Sequence, residues 1–118
     1  MDFNGKVAVV TGSALGIGRG TAIELAKQGA DIAGIDILVD ENQDVIKEVQ
    51  NLGRKGLALQ CDISDMNQVL STMDKIIKTF GRIDILINNA SVFNFTSTVG
   101  ADFDKTIELF DKCMNVNA

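Results

Sequence analysis

Short apolar runs alternate with helix-length amphipathic segments along this chain, and the alternation predicts an α/β fold built on a doubly wound parallel sheet. Two further observations agree. A Gly-rich turn follows the first apolar run, and the second and third runs carry acids at their ends, Asp36 and Asp62. Helical connections of this length force parallel pairing through right-handed crossovers, so the expected spatial order of the strands is 3-2-1-4.

The first strand is predicted over Lys6 to Val10, a β-branched run of the kind buried on both faces of a sheet. After the glycines, Ala22, Ile23, Leu25 and Ala26 form the apolar stripe of a helix that Gly29 stops. The second strand spans Asp31 to Ile37. Asp40 is the expected cap of the next helix, whose apolar face is Val45, Ile46 and Val49 and whose stop is Gly53. Leu57 to Ile63 reads as the third strand. Ser64 then caps a helix with Val69, Leu70, Met73, Ile76, Ile77 and Phe80 turned inward, closed by Gly81. Ile83 to Ile87 is the fourth strand and runs into Asn88-Asn89-Ala90. A polar stretch from Ser91 to Gly100 leads to a last helical pattern, Phe103 to Val116.

Composition narrows the function classes. The 118 residues suffice for one domain with one core, and 46% apolar with 23% charged residues is an ordinary globular balance. The net charge of −5, with Lys and Arg scattered, argues against nucleic acid as a partner. The apolar runs are too short to span a bilayer, and the start of the chain, with Asp2, lacks the pattern of a signal peptide. A cytoplasmic protein without a membrane partner is expected. Cys61 and Cys113 lack metal-ligand spacing and read as reduced thiols, and with no His in the chain no metal site is expected. The same absence excludes Ser-His-Asp and Cys-His nucleophile systems.

The turn Thr11-Gly12-Ser13-Ala14-Leu15-Gly16-Ile17-Gly18 stands where a dinucleotide fold places its phosphate loop. Gly12 allows the sharp turn at the strand end, Gly16 allows the backbone to approach a pyrophosphate, and Gly18 allows the helix to pack close to the sheet. The N–H groups at the helix start then face the phosphates, helped by the helix dipole. A tight strand-to-helix turn without a ligand is the plainer alternative. The strand before, the amphipathic helix after and the acid at the end of the next strand favour the nucleotide. A P-loop is excluded because Gly-Lys-Ser/Thr is missing. A Rossmann-like methyltransferase shares the topology, but its glycine spacing usually differs.

Asp36 is positioned to accept hydrogen bonds from the adenosine ribose hydroxyls, and a 2′-phosphate there would meet like charge. Leu15 and Ile37 are apolar where a phosphate-preferring enzyme usually carries Arg or Lys. The expected cofactor is NAD.

Thr11 to Gly18, the acid Asp36, Cys61-Asp62-Ile63 and Asn88-Asn89-Ala90 follow one another in an order and spacing that resembles the short-chain dehydrogenase/reductase family. Phe110-Asp111 followed by Val116-Asn117 resembles a further, weaker family feature. The resemblance covers the whole chain and implies a Rossmann fold and NAD-dependent oxidoreductase chemistry: hydride transfer between nicotinamide and a carbonyl or alcohol carbon of a small molecule. Nucleotide contacts are then expected from Gly12, Ser13, Leu15, Gly16, Ile17, Gly18, Asp36, Ile37, Asp62, Ile63, Asn89, Ala90 and Ser91. Asp62 would meet the adenine edge with the Ile63 backbone beside it, Asn89 and Ala90 the adenosine ribose, and the Ile17 backbone the nicotinamide side. Asn117 matches the Asn of the family's catalytic tetrad. Ser91 departs from the pattern, which usually has Gly there.

The family's acid/base is a Tyr with a Lys beneath it, assisted by a Ser. The chain contains no Tyr. An apolar fourth strand left as a sheet edge is also a pattern that native sheets avoid. The expectation is therefore an NAD-binding half-domain over residues 1–118 that ends before a fifth strand of a longer enzyme, and that is inactive alone. The other readings are a stand-alone nucleotide-binding module and an NAD-responsive regulator without turnover. A dimer or tetramer of the complete protein is implied by the resemblance only.

Overall fold

The computed structural model describes residues 2–89 and the backbone of strand 96–98. In chain order the elements are β1 (Val7–Thr11), α1 (Gly16–Lys27), β2 (Asp31–Asp36), α2 (Val39–Asn51), β3 (Gly56–Gln60), α3 (Met66–Phe80), β4 (Ile85–Asn88) and β5 (Thr96–Thr98). The expected helix from Phe103, together with Ala90, Ser91 and Asn117, lies outside the described residues.

The sheet order is β3-β2-β1-β4-β5. Its first four strands pair in parallel in the expected 3-2-1-4 arrangement. β1 is buried along its whole length, as its unbroken β-branched run requires. Alternate side chains feed two cores. Val9, Ala33, Ile35 and Leu86 face α3 and pack on Val69, Met73 and Ile76. Ala8, Val10, Ile32 and Ile85 face the other way, toward α1 and α2, and pack on Ala22, Ala26, Val45 and Val49. Helices on both faces make the sheet doubly wound. No helix among the described residues is long and apolar enough to cross a membrane.

Several local expectations are corrected. β4 is not an edge: it pairs antiparallel with β5, Ile85 opposite Thr98 and Ile87 opposite Thr96. The covering strand is only three residues long, too short for an alternating pattern to announce it. α2 begins at Val39, so Asp40 sits in its first turn instead of capping it. No side chain caps α2; Asp36 instead braces the residue before it, its Oδ1 accepting the Leu38 N–H at 3.0 Å. Asp65, and not Ser64, caps α3, accepting from the N–H groups of Asn67 and Gln68 at 3.0 and 3.3 Å. Leu70 faces outward and Thr72 takes an inward place beside Val69 and Met73. β3 stops at Gln60 because its ladder partner β2 ends at Asp36.

At the opposite end of the sheet, Asp84 is 3% exposed. Its Oδ2 accepts the Val7 N–H at 2.9 Å, and its Oδ1 accepts from Arg82 at 2.5 Å. This carboxylate fastens the start of β4 to the start of β1. Asp84→Ala leaves a buried N–H without its acceptor and should cost about 1–3 kcal/mol in urea denaturation, with Asp84→Asn costing less because an acceptor oxygen persists.

Candidate functional site

Parallel register brings the carboxyl ends of the strands to one edge. Thr11 lies opposite Ile35 on one side and Asn88 on the other, and Asp36 lies opposite Gln60. The residues that follow these positions therefore emerge side by side, at the crevice where open α/β sheets bind ligands. A cleft of about 280 Å³ opens there, lined by Gly12, Ile35, Asp36, Ile37, Cys61, Asp62 and Ile63.

The Gly-rich turn forms one wall. Gly12 and Gly16 have φ of +67° and +59°, backbone that L side chains rarely adopt. A Cβ at Gly16 would meet nothing within 4 Å, so the backbone here faces open space. Gly18 is the opposite case: a Cβ there would run into the Gly12 carbonyl and lie 3.3 Å from the Ser13 Cα. The start of α1 has no side-chain cap and no acid in its first turn. Its N–H groups are thus left for an anion.

Asp36 stands at the cleft with each carboxylate oxygen already holding one N–H, Oδ2 that of Ala14 and Oδ1 that of Leu38, both at 3.0 Å. Each oxygen keeps a further lone pair for a hydroxyl donor. Ile37 and Leu15 are 62% and 55% exposed, so the surface beside the acid is apolar. Ile17 is 80% exposed at the first turn of α1.

Asp62 lies at the far side of the cleft. Its Oδ1 accepts from the Ser64 hydroxyl at 2.6 Å and the Ser64 N–H at 3.0 Å. The hydroxyl bond, then the backbone bond, hold the carboxyl below its ordinary pKa. Ile63 is half-buried and packs on the core that faces α3.

The Ser13 side chain points inward: it is completely buried, and its hydroxyl donates to Asn42 Oδ1 at 2.5 Å, away from the cleft. Asn89 stands at the other side of β1. Its N–H donates to Thr11 Oγ1 at 3.1 Å, while the Thr11 hydroxyl donates to Asn88 Oδ1 at 2.9 Å. The Nδ2 of Asn89 is buried with no hydrogen-bond partner among the described residues.

Three contributors escaped the sequence reading. Thr11 was visible as the residue before Gly12, but its hold on Asn88 and Asn89 depends on the β1–β4 register. Ile35 and Cys61 form the floor of the cleft. Burial pushes the Cys61 thiol up in pKa, Asp62 and Asp65 add to this, and a hydrogen bond with Thr72 opposes it. The floor is therefore a neutral thiol at physiological pH. Among the described residues no cluster of acids and cysteine is arranged to hold a metal ion.

The fold and this crevice define a doubly wound domain with a glycine-rich turn at an uncapped helix start and an acid on the neighbouring strand. The family described as short chain dehydrogenase matches residues 6–118, and the chain belongs to it. The 2-dehydro-3-deoxy-D-gluconate 5-dehydrogenase of Dickeya dadantii is 35% identical over 116 residues, which are 98% of this chain and 44% of that enzyme. The chain thus spans less than half the length of such relatives. Among solved structures, an NAD+-bound xylitol dehydrogenase matches with TM-score 0.71 and 35% identity, over 73% of this chain and 33% of that one. A 7α-hydroxysteroid dehydrogenase complexed with NADH and 7-oxo glycochenodeoxycholic acid matches with TM-score 0.72 and 37% identity, over 74% and 34%. The methyltransferase alternative falls with the family assignment.

Two outcomes are expected from this geometry. Gly18→Ala should lower stability by about 1–3 kcal/mol through overpacking. Gly20→Ala, on the same helix where a Cβ meets nothing within 4 Å, should raise it by up to about 1 kcal/mol. Thermal unfolding of the two variants checks the pair. For Asp62, a folded pKa below the unfolded one stabilises the fold above the ordinary carboxylate range, and this is lost as pH falls through the lowered value. A carbon-13 NMR titration should show Asp62 titrating below the ordinary range, and Ser64→Ala should move it upward.

Proposed function

We propose that these residues form the cofactor-binding part of an NAD(H)-dependent oxidoreductase that moves hydride between nicotinamide and the carbonyl or alcohol carbon of a small molecule. The observation that carries the choice of cofactor is Asp36. It presents a carboxylate in the cleft, is held by loop and helix N–H groups, and has no cation among the lining residues. A carboxylate there accepts from ribose hydroxyls and repels a 2′-phosphate.

The remaining residues fit the same group. The backbone at Gly16 and the start of α1 would hold the pyrophosphate, with Gly12, Ser13, Leu15 and Gly18 around it and the Ile17 backbone toward the nicotinamide side. Asp36 and Ile37 would hold the adenosine ribose, and Asp62 with Ile63 the adenine. The orphan Nδ2 of Asn89 supplies a donor on the far side. Resemblance adds Ala90 and Ser91 to this lining and Asn117 to a proton relay. The relatives, a dehydrogenase among them, and the NAD+ and NADH of two structural neighbours support the reading.

When bound, the nicotinamide supplies the hydride chemistry, and the chain's own residues bind and orient. The chain has no Tyr to act as proton donor. These 118 residues alone are therefore proposed to bind NAD without turning over an alcohol.

Titration calorimetry with NAD+ and NADP+ tests the proposal. NAD+ should bind at least about tenfold more tightly, the worth of one charge-assisted hydrogen bond. Equal or tighter binding of NADP+ sinks the assignment.

A further inference from the structure

Asn42 lies on the inner face of α2, in line with the apolar Val45, Ile46 and Val49, and is 1% exposed. A buried amide needs partners, and this one has two. Its Nδ2 donates to the Gly34 carbonyl at 3.0 Å, and its Oδ1 accepts from the Ser13 hydroxyl at 2.5 Å. The orientation of the amide is fixed by chemistry, because a carbonyl oxygen can only accept. Gly34 completes the node. A Cβ built there would stand 2.7 Å from Ser13 Oγ and 3.0 Å from Asn42 Oδ1, so the absent side chain makes room for the bond.

The node sits beneath the Gly-rich turn, with no surface of its own in the cleft. It completes a series of ties. The Gly12 N–H donates to the Ile35 carbonyl at 2.8 Å, the Ser13 side chain is held by Asn42, and the Ala14 N–H is held by Asp36. Three consecutive loop residues are thus fastened to β2 or α2 by three different kinds of acceptor. Only the middle tie comes from inside α2.

We propose that Asn42 is a positioning residue for the cofactor. Through Ser13 it holds the turn in the shape that aims the first N–H groups of α1 and the Asp36 carboxylate at the same ligand. This rests on the NAD reading above for its ligand, though not for the clamp itself.

The test uses the full chain with Asn42→Leu, which keeps bulk while removing both bonds, Ser13→Ala, and the double variant. Each single change should raise the Kd for NADH by about five- to twentyfold, and the double should be no worse than the weaker-binding single, as residues in one network are non-additive. Val49→Ala, a cavity on the same helix away from the turn, should lower the melting temperature and leave the Kd unchanged. Amide hydrogen exchange of residues 12–18 without ligand should accelerate in Asn42→Leu and Ser13→Ala and not in Val49→Ala. Unchanged NADH affinity in both single variants, or additive losses, overturns the proposal while leaving the NAD reading intact. If the unaltered chain binds no NADH, that reading fails instead, and the exchange rates decide the clamp: acceleration upholds it and unchanged rates overturn it. Should Asn42→Leu fail to fold, Ser13→Ala carries the same two measurements.

Discussion

Parallel pairing around β1 is the constraint on which the rest depends. A parallel strand ends on the same side as its neighbours, so every chemical group placed just after a strand arrives at one crevice. Here that delivers Gly12 from β1, Asp36 from β2, Cys61 and Asp62 after β3, and Asn89 from β4. Residues spread over most of the described chain become neighbours without any long-range search for partners. A register slip of one residue between β1 and β2 would carry Asp36 away from the Ala14 N–H and turn its side chain to the other face.

Within that frame Asp36 has two duties. It satisfies N–H groups of the loop and of the α2 entrance, and it offers its remaining lone pairs to the cleft. A group that is anchored before a ligand arrives loses little freedom on binding, which favours affinity through preorganisation. The Asn42–Ser13 bond works on the same segment from below, and the pair Arg19–Glu48, at 2.7 Å, joins α1 to α2 at the surface. Both partners of that pair are 44% exposed, so screening by solvent leaves it a minor contributor beside the buried bonds.

The sequence made the strands, the helices and the glycine loop legible because each depends on local pattern: β-branched runs, amphipathic stripes and Gly at turns. It also made Asp36 and Asp62 legible, since one ends β2 and the other closely follows β3. What it hid depends on partners far along the chain. Ser13 turns inward because Asn42, 29 positions away, offers an acceptor there, and no local rule foretells that. The helix starts are harder to place, because Asp40, Ser64 and Asp65 all stand near them and tertiary geometry decides which side chain caps a helix. β5 was hidden by brevity.

The site is also a product of core packing. Gly18, Ala22 and Ala26 form the buried stripe of α1, and such small side chains let the helix settle low on the sheet. That depth is what brings Gly18 against the Gly12 carbonyl and points the uncapped helix start at the crevice. A larger residue on this stripe would lift the helix and move its N–H groups together with it, so a change in stability and a change in the geometry of the glycine-rich turn would be one event. Ile37 and Leu15 stand outside this coupling because they are exposed. Their side chains can therefore change in size or charge without disturbing the packing that makes the cleft. The cleft thus joins exposed positions that are free of the core to others, Gly18 and Asp36, whose contacts also hold the fold together.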